Sequence, residues 1–302
     1  MATIPLYTDP KRLELSDRAP LVEALRRFQP ATSELNFTNL FMWREYYQTS
    51  WCLWDQWTLF LMEHRDHGLF AMEPVGPGDR VEIASRLLGW LREKGARRPR
   101  IERAGKELAL AFQHRGGYQV DPVREHFDYV YLRSDLVGLA GKKYHAKRNH
   151  INRFKSRWAF EYTPIRPELA AECLDLARRW CEVNACAEDL SLSGEARGIA
   201  ELLSGWSDLS LEGAAIRVEG QIQAITVGEK LNDQTVVIHV EKANPEFPEL
   251  YTLINQQFLE RAWAELPWVN REQDLGDEGL RKAKLSYHPD HLEEKYTISL
   301  LG

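Results

Sequence analysis

No apolar run in this chain approaches the roughly 20 residues that carry a helix across a bilayer. The best candidate, Trp51–Met62, is short and is broken by Asp55 and Gln56. The opening stretch, MATIPLYTDPKRLEL, lacks the basic-then-apolar layout of a secretory signal. Cytoplasm is therefore the expected compartment. Cysteine is scarce, with Cys52, Cys173, Cys181 and Cys186 the only four in 302 residues. They make no CxxC pair and no zinc spacing, so all four are expected to be reduced and structural, with no metal bound. Phosphate-binding signatures are missing too. GLAGKK (Gly138–Lys143) has Leu136 where a P-loop needs its first Gly, and Lys143 where Ser or Thr holds magnesium. No GxSxG elbow, HExxH helix or GxGxxG turn occurs.

What is present suits a soluble globular protein. Hydrophobic residues make up 44%, charged residues 28%, and the formal net charge is −6. The mean hydropathy is −0.46. Against that acidic balance, Gly141–Trp158 (GKKYHAKRNHINRFKSRW) carries seven Lys or Arg, two His and no acidic residue. Tyr144, Ile151, Phe154 and Trp158 recur at helical spacing, which predicts an amphipathic helix with a cationic outer face. Such a helix on an acidic protein calls for an anionic partner, phosphate first. A solvated charged face is the plainer alternative.

The order of elements suggests a fold. Ser16 is a plausible N-cap for a helix closing at Pro30, and Ser33–Gln48 carries a second apolar stripe. Trp51–Leu61 and Gly68–Met72 look like strands, followed by a helix over Arg80–Lys94. A strand near Arg100–Arg103, a helix over Lys106–His114 and a strand over Phe127–Leu132 close the first half. After the basic helix the order begins again, with a hairpin around Glu219-Gly220, a strand over Thr235–Val240, a helix over Leu250–Leu266 and a last strand over Lys295–Leu300. The expected class is α/β with mixed sheets, built as two fused GNAT-like acyltransferase domains. They would occupy residues 1–135 and 136–302, the second opening with the basic linking helix 141–158.

In acetyl-CoA-dependent acetyltransferases, a Gly-rich turn before the long helix cradles pyrophosphate on its amides. Here that place reads VEKANPEFPELY (Val240–Tyr251), with two prolines and no glycine. Proline has no N–H to offer, which argues against acetyl-CoA as the co-substrate. A second dense stretch, VNREQDLGDEGLRKAKLSYHP (Val269–Pro289), mixes carboxylates with cations where a strand end meets a turn and a helix. Strand ends of this kind are where α/β sites usually lie. Arg281 and Lys284 share a helix face, and Tyr287 follows as a candidate acid. His239 and Glu241 flank Val240 on one strand and so point to one side of the sheet. Surface ion pairs and a satisfied polar pair are the plainer readings of these groups. Asn36, Asn39 and Trp43 either line a pocket or cap and pack their own helix.

Three stretches together, SELNFTNLFMWREYY, YLRSDLVGLAGKKYHAKRNHINRF and the Val269–Pro289 string, resemble a bacterial family of uncharacterised proteins related to the C-terminal domain of phosphatidylglycerol lysyltransferase. The resemblance implies two fused acetyltransferase-like domains. It also implies an enzyme that moves an aminoacyl group from charged tRNA to a hydroxyl or amine, on a lipid or a small molecule. For that reaction, Glu241, Glu272 or Asp274 is expected as base or amine-binding carboxylate, and Tyr287 as acid. Lys143, Lys147, Arg148, Arg281 and Lys284 would hold phosphates, including those of the tRNA acceptor end. Asn149, Asn152 and Asn270 would orient substrate, with Asn36, Trp43 and His239 nearby. An acyl-CoA-dependent N-acyltransferase and a non-catalytic binding module remain the alternatives.

Overall fold

The computed structural model describes residues 7–301. Its chain forms two compact units, each built on a seven-stranded mixed sheet. The first unit runs to Asp128 and regains the chain at Gln273–Asp277 and from Leu292 onward. It contains β1 (Lys11–Arg12), α1 (Arg18–Phe28), α2 (Phe37–Met42), β2 (Ser50–Trp54), β3 (Trp57–His64) and β4 (Gly68–Ala71). There follow α3 (Arg80–Glu93), β5 (Arg100–Gly105), α4 (Lys106–Phe112) and β6 (Tyr118–Pro122). The Asp79 carboxylate caps α3 by accepting from the amides of Val81 and Glu82. Ile83, Leu87, Leu88 and Leu91, spaced for one helical face, then pack on Leu59, Leu61, Ile101 and Phe112.

Several expectations are corrected here. Ser16 does not cap the first helix. Residues Leu15–Asp17 form a 3-10 turn, and the buried Asp17 carboxylate accepts from the Trp51 indole at 3.0 Å. Trp51–Leu61 is not one strand. Asp55, at φ 53°, turns the chain, so β2 and β3 pair antiparallel as a hairpin.

The second unit holds Tyr129–Glu272 and Glu278–His291. Its elements begin with β7 (Asp128–Leu132), α5 (Arg133–Gly138), α6 (His145–Arg157), β8 (Phe160–Pro164), α7 (Ala170–Val183), α8 (Leu190–Ser204) and α9 (Trp206–Leu209). They continue with β9 (Glu212–Val218), β10 (Gln221–Lys230), β11 (Thr235–Ala243), α10 (Leu250–Ala262), β12 (Trp268–Asn270), α11 (Glu278–Leu285) and β13 (His291–Glu293). The sheet order is β13-β7-β12-β11-β10-β9-β8, with β11 and β12 parallel. The expected β9–β10 hairpin is present, turned by Glu219 (φ 50°) and Gly220 (φ 79°). The β10–β11 register shifts at Val227/Gly228, where β11 carries the extra residue, His239; a Cβ on Gly228 would lie 2.5 Å from the Val237 carbonyl oxygen. The apolar side of α6, Tyr144, Ile151 and Phe154, packs on Ile216, Val218, Leu250 and Leu253 within this unit.

The last strand, β14 (Lys295–Leu300), pairs with β5 and β6 in the first sheet, while β7 lies in the second. A single cut between residues 135 and 136 therefore does not describe these units. The cysteine expectation is overturned for one pair. Ala185, left-handed at φ 50°, folds the end of α7 back so that Cys181 and Cys186 stand 5.0 Å apart at Cα and form a disulfide. Cys52 and Cys173 are free and buried. Among the described residues no helix is long and apolar enough to cross a membrane.

Candidate active site

Every group in this site belongs to the second unit. On β11, His239 and Glu241 each meet a residue just past the end of β12, but the β10–β11 register shifts between Val240 and Ile238, so the alternation expected to put them on one face is interrupted at His239. His239 is buried between two carboxylates, 2.9 Å from Glu272 at Nδ1 and 3.2 Å from Glu229 at Nε2. Burial opposes its charge, but the two carboxylates prevail and raise its pKa to about 9. It is an imidazolium that donates to both neighbours, not a base partner. A raised pKa contributes stability that is complete below the ordinary value of 6.5 and is lost as pH rises through about 9. That gap corresponds to on the order of 3 kcal/mol. Denaturation of wild type at pH 6 and pH 9.5 is expected to show such a loss, much reduced in His239→Phe. Equal loss in both would mean that the imidazole is uncharged.

Glu241 accepts from Arg271 through Nε, at 3.1 Å, and through Nη2, and from Asn255 Nδ2 at 3.0 Å. Arg271 is correspondingly held in its charged form. Burial works against it, and the Glu241 carboxylate outweighs burial. Its remaining nitrogen, Nη1, is buried without a hydrogen-bond acceptor. The guanidinium lies 4.7 Å from the Tyr287 ring centroid. Tyr287 is buried and donates to Thr252 Oγ1 at 3.2 Å. Burial pushes its phenol pKa up, with Arg271 opposing.

Over the same ring, 3.7 Å from its centroid, stands the Lys147 ammonium. Helix α6 thus turns one of its cations inward. Among the described residues Lys147 forms no hydrogen bond or ion pair, only this cation–π contact. Burial, with Arg271 adding repulsion, lowers its pKa to about 8.

The other cations of α6 and its lead-in have different roles. Lys143 pairs with Asp135 at 3.0 Å, and Arg153 with Glu249 at 2.9 Å. Arg148 donates to the carbonyls of Leu139 and Gly141, closing the loop before the helix. Lys142, Lys155 and Arg157 are exposed and make no ion pair among the described residues. Asn149 contacts His145 at 3.1 Å and lines a shallow depression with Ala146, His150 and Arg153; Asn152 is exposed. Lys284 donates to the carbonyls of Arg271 and Glu272, fastening α11 to the strand end, and Arg281 is half-buried on the same helix. Buried Asn270 accepts from the Glu272 amide at 2.8 Å, which supports the left-handed turn at Glu272 (φ 54°).

Three of the sequence-selected residues lie in the first unit. Asp274 is buried and accepts from the Gly276 amide and from Arg124, so it holds its own turn. Asn36 caps α2 through the amides of Thr38 and Asn39, and Trp43 packs edge-on against Tyr46.

Where a pyrophosphate cradle would stand, three of the amides at the start of α10 are already used. Glu246 N–H donates to Asn244 Oδ1 at 3.0 Å, Phe247 N–H to the Asn244 carbonyl and Leu250 N–H to the Phe247 carbonyl, both at 2.9 Å. The Phe247 ring packs on Phe154 and Trp158, and Glu249 adds a carboxylate.

The family model described as phosphatidylglycerol lysyltransferase, C-terminal, matches residues 25–299. The chain belongs to that family. A solved structure of a conserved protein of unknown function from Bacteroides thetaiotaomicron is 36% identical, with TM-score 0.90, covering 99% of this chain and 100% of that one. The C-terminal domain of a putative lysylphosphatidylglycerol synthetase from Agrobacterium fabrum shares the fold at 13% identity and TM-score 0.67, over 96% and 93% of the two chains. An uncharacterized protein of Mycoplasmoides gallisepticum is 22% identical over 189 residues, 61% of this chain. The match spans 60% of that relative's own length.

Within this cluster, sequence reading did not select Arg271, Glu229, Thr252 and Asn255 as site residues. Arg271 carried a signal, since it stands beside Glu272 in the dense stretch. Thr252 and Asn255 sit three apart among the buried residues of α10, beside Leu253, Ile254, Phe258 and Leu259, which marks a polar spot on a largely apolar buried face.

Proposed function

We propose that the protein is an aminoacyltransferase that takes the aminoacyl group of a charged tRNA and passes it to a hydroxyl or amine acceptor. The acceptor is a lipid headgroup or a small molecule. The observation that carries this reading is the Lys147–Tyr287–Arg271–Glu241 cluster, which brings cations, a phenol and a carboxylate together beneath a cationic helix. Family membership supports the reaction class. The occupied amides before α10 favour a nucleic-acid-borne donor over acetyl-CoA. Two acetyltransferase-like domains fit the two sheets, each of which is mixed and holds one parallel pair.

In this reading Lys142, Lys155 and Arg157 face the tRNA backbone, because their charges are exposed and uncommitted. Phosphate contacts of that kind make binding fall steeply with salt. The test is filter binding of the purified protein to charged tRNA across a salt series. The triple change to Ala is expected to weaken binding and flatten the log–log salt slope by about 2 to 3. A slope unchanged by the triple variant would remove this face from the proposal.

A further inference from the structure

We propose that the Lys147 ammonium and the Arg271 guanidinium form an oxyanion site, which holds the acyl carbonyl oxygen while it bears negative charge. The inference rests on the transferase reading. Its starting point is an imbalance of charge: two cations share one aromatic ring, and Glu241 is the single carboxylate bonded to either. Glu241 engages Nε and Nη2 of Arg271, which leaves Nη1 buried without an acceptor. Lys147 has none either. Lys147 therefore has directions of hydrogen bonding that the protein itself does not fill, and Arg271, whose side chain also reaches Tyr287, adds fixed positive charge beside it. The Tyr287 face holds Lys147 in place without neutralising it.

Fixed positive charge beside developing negative charge in a half-buried site is what acyl transfer requires. The acceptor's oxygen or nitrogen lone pair bonds to the carbonyl carbon, and the C=O pair moves onto oxygen beside Lys147 and Arg271. When that pair re-forms the carbonyl, the bond to the ribose oxygen breaks. The proton the acceptor loses is the one the ribose oxygen gains. The charged groups facing Lys147 are Arg271 and Glu241 from the strand ends, with the Tyr287 phenol between them and His150 beside it on its own helix. Their balance, with burial, lowers its pKa to about 8, so the ammonium is present at neutral pH and fades above it.

The experiment is the pH profile of kcat for aminoacyl transfer in wild type, Lys147→Arg and Lys147→Met. Wild type is expected to lose activity as pH rises past about 8. Lys147→Arg should stay within about 10-fold of wild type and keep its activity to higher pH, because its charge persists. Lys147→Met should lose on the order of 100-fold in kcat with little change in KM for tRNA. Activity that instead rises through pH 8 and vanishes in Lys147→Arg would make Lys147 a base and overturn the proposal.

A second readout needs no turnover and no variant. Inorganic phosphate should slow modification of Lys147 by an amine-reactive reagent at least about threefold, leaving Lys142 and Lys155 unaffected. Equal rates at all three overturn the anion site. If charged tRNA is not a substrate but phosphate protects Lys147, the donor assignment fails and the anion site stands. If transfer occurs and Lys147→Met is fully active, the inference alone fails.

Discussion

Replacing Lys295 by Met is expected to destabilise the first unit by about 3–5 kcal/mol, the range for removing one partner of a buried ion pair. The Lys295 side chain is completely buried, with Nζ 2.6 Å from Asp128 Oδ1 and 2.5 Å from Glu34 Oε2. The Ser33 hydroxyl lies 3.2 Å away. Burial alone would favour neutral lysine, but Asp128 and Glu34 outweigh it and raise its pKa. Methionine fills most of the volume and removes the charge, leaving two carboxylates buried together. Arg103 still pairs with Glu34 at 3.3 Å, and because the lost attraction requires ionised carboxylates, the deficit should be largest at neutral pH and shrink below about pH 4. Urea denaturation at pH 7 and pH 4 measures both. A deficit below about 1 kcal/mol at pH 7 would mean that water or a backbone shift compensates the carboxylates. The site in the second unit should then be tested only under conditions where the variant is folded.

Arg271→Met is expected to abolish transfer, lowering kcat by 100-fold or more, and to destabilise the second unit by roughly 3 kcal/mol. Glu241 would lose its guanidinium and keep only Asn255 as a side-chain donor. The two effects are separable. Adding Glu241→Gln to Arg271→Met removes the stranded carboxylate, so the double variant should recover part of the stability and none of the activity. Recovery of activity in the double variant would show that Arg271 serves only to neutralise Glu241. Stability is read from denaturant curves and activity from single-turnover transfer.

The sequence made the local features plain. Asp79 and the Ile83–Leu91 spacing announce α3, Glu219-Gly220 announces its hairpin, and the basic stripe with Tyr144, Ile151 and Phe154 announces α6. The shared face that strand period predicts for His239 and Glu241 is interrupted by the register shift at His239, which no local residue type signals. What escaped depends on partners far away in the chain. Lys295 and Asp128 are 167 residues apart, and nothing near either marks a buried ion pair. Lys147 looks like any other cation of its helix; only the packing of α6 over Tyr287 turns it inward. The Cys181–Cys186 bond depends on one left-handed residue, Ala185, and alanine is not a residue type that signals that conformation. The last strand reads as the end of the second half because its partners, β5 and β6, lie more than 170 residues earlier.

The most direct test of the account is transfer itself. Purified protein is incubated with tRNA charged with labelled amino acids, together with a lipid extract and a small-molecule extract as acceptors. The account predicts that label leaves the tRNA faster than spontaneous hydrolysis, enters one acceptor fraction, and does so far more slowly with Lys147→Met. Label that stays on tRNA, while acetyl-CoA is consumed under the same conditions, would contradict it.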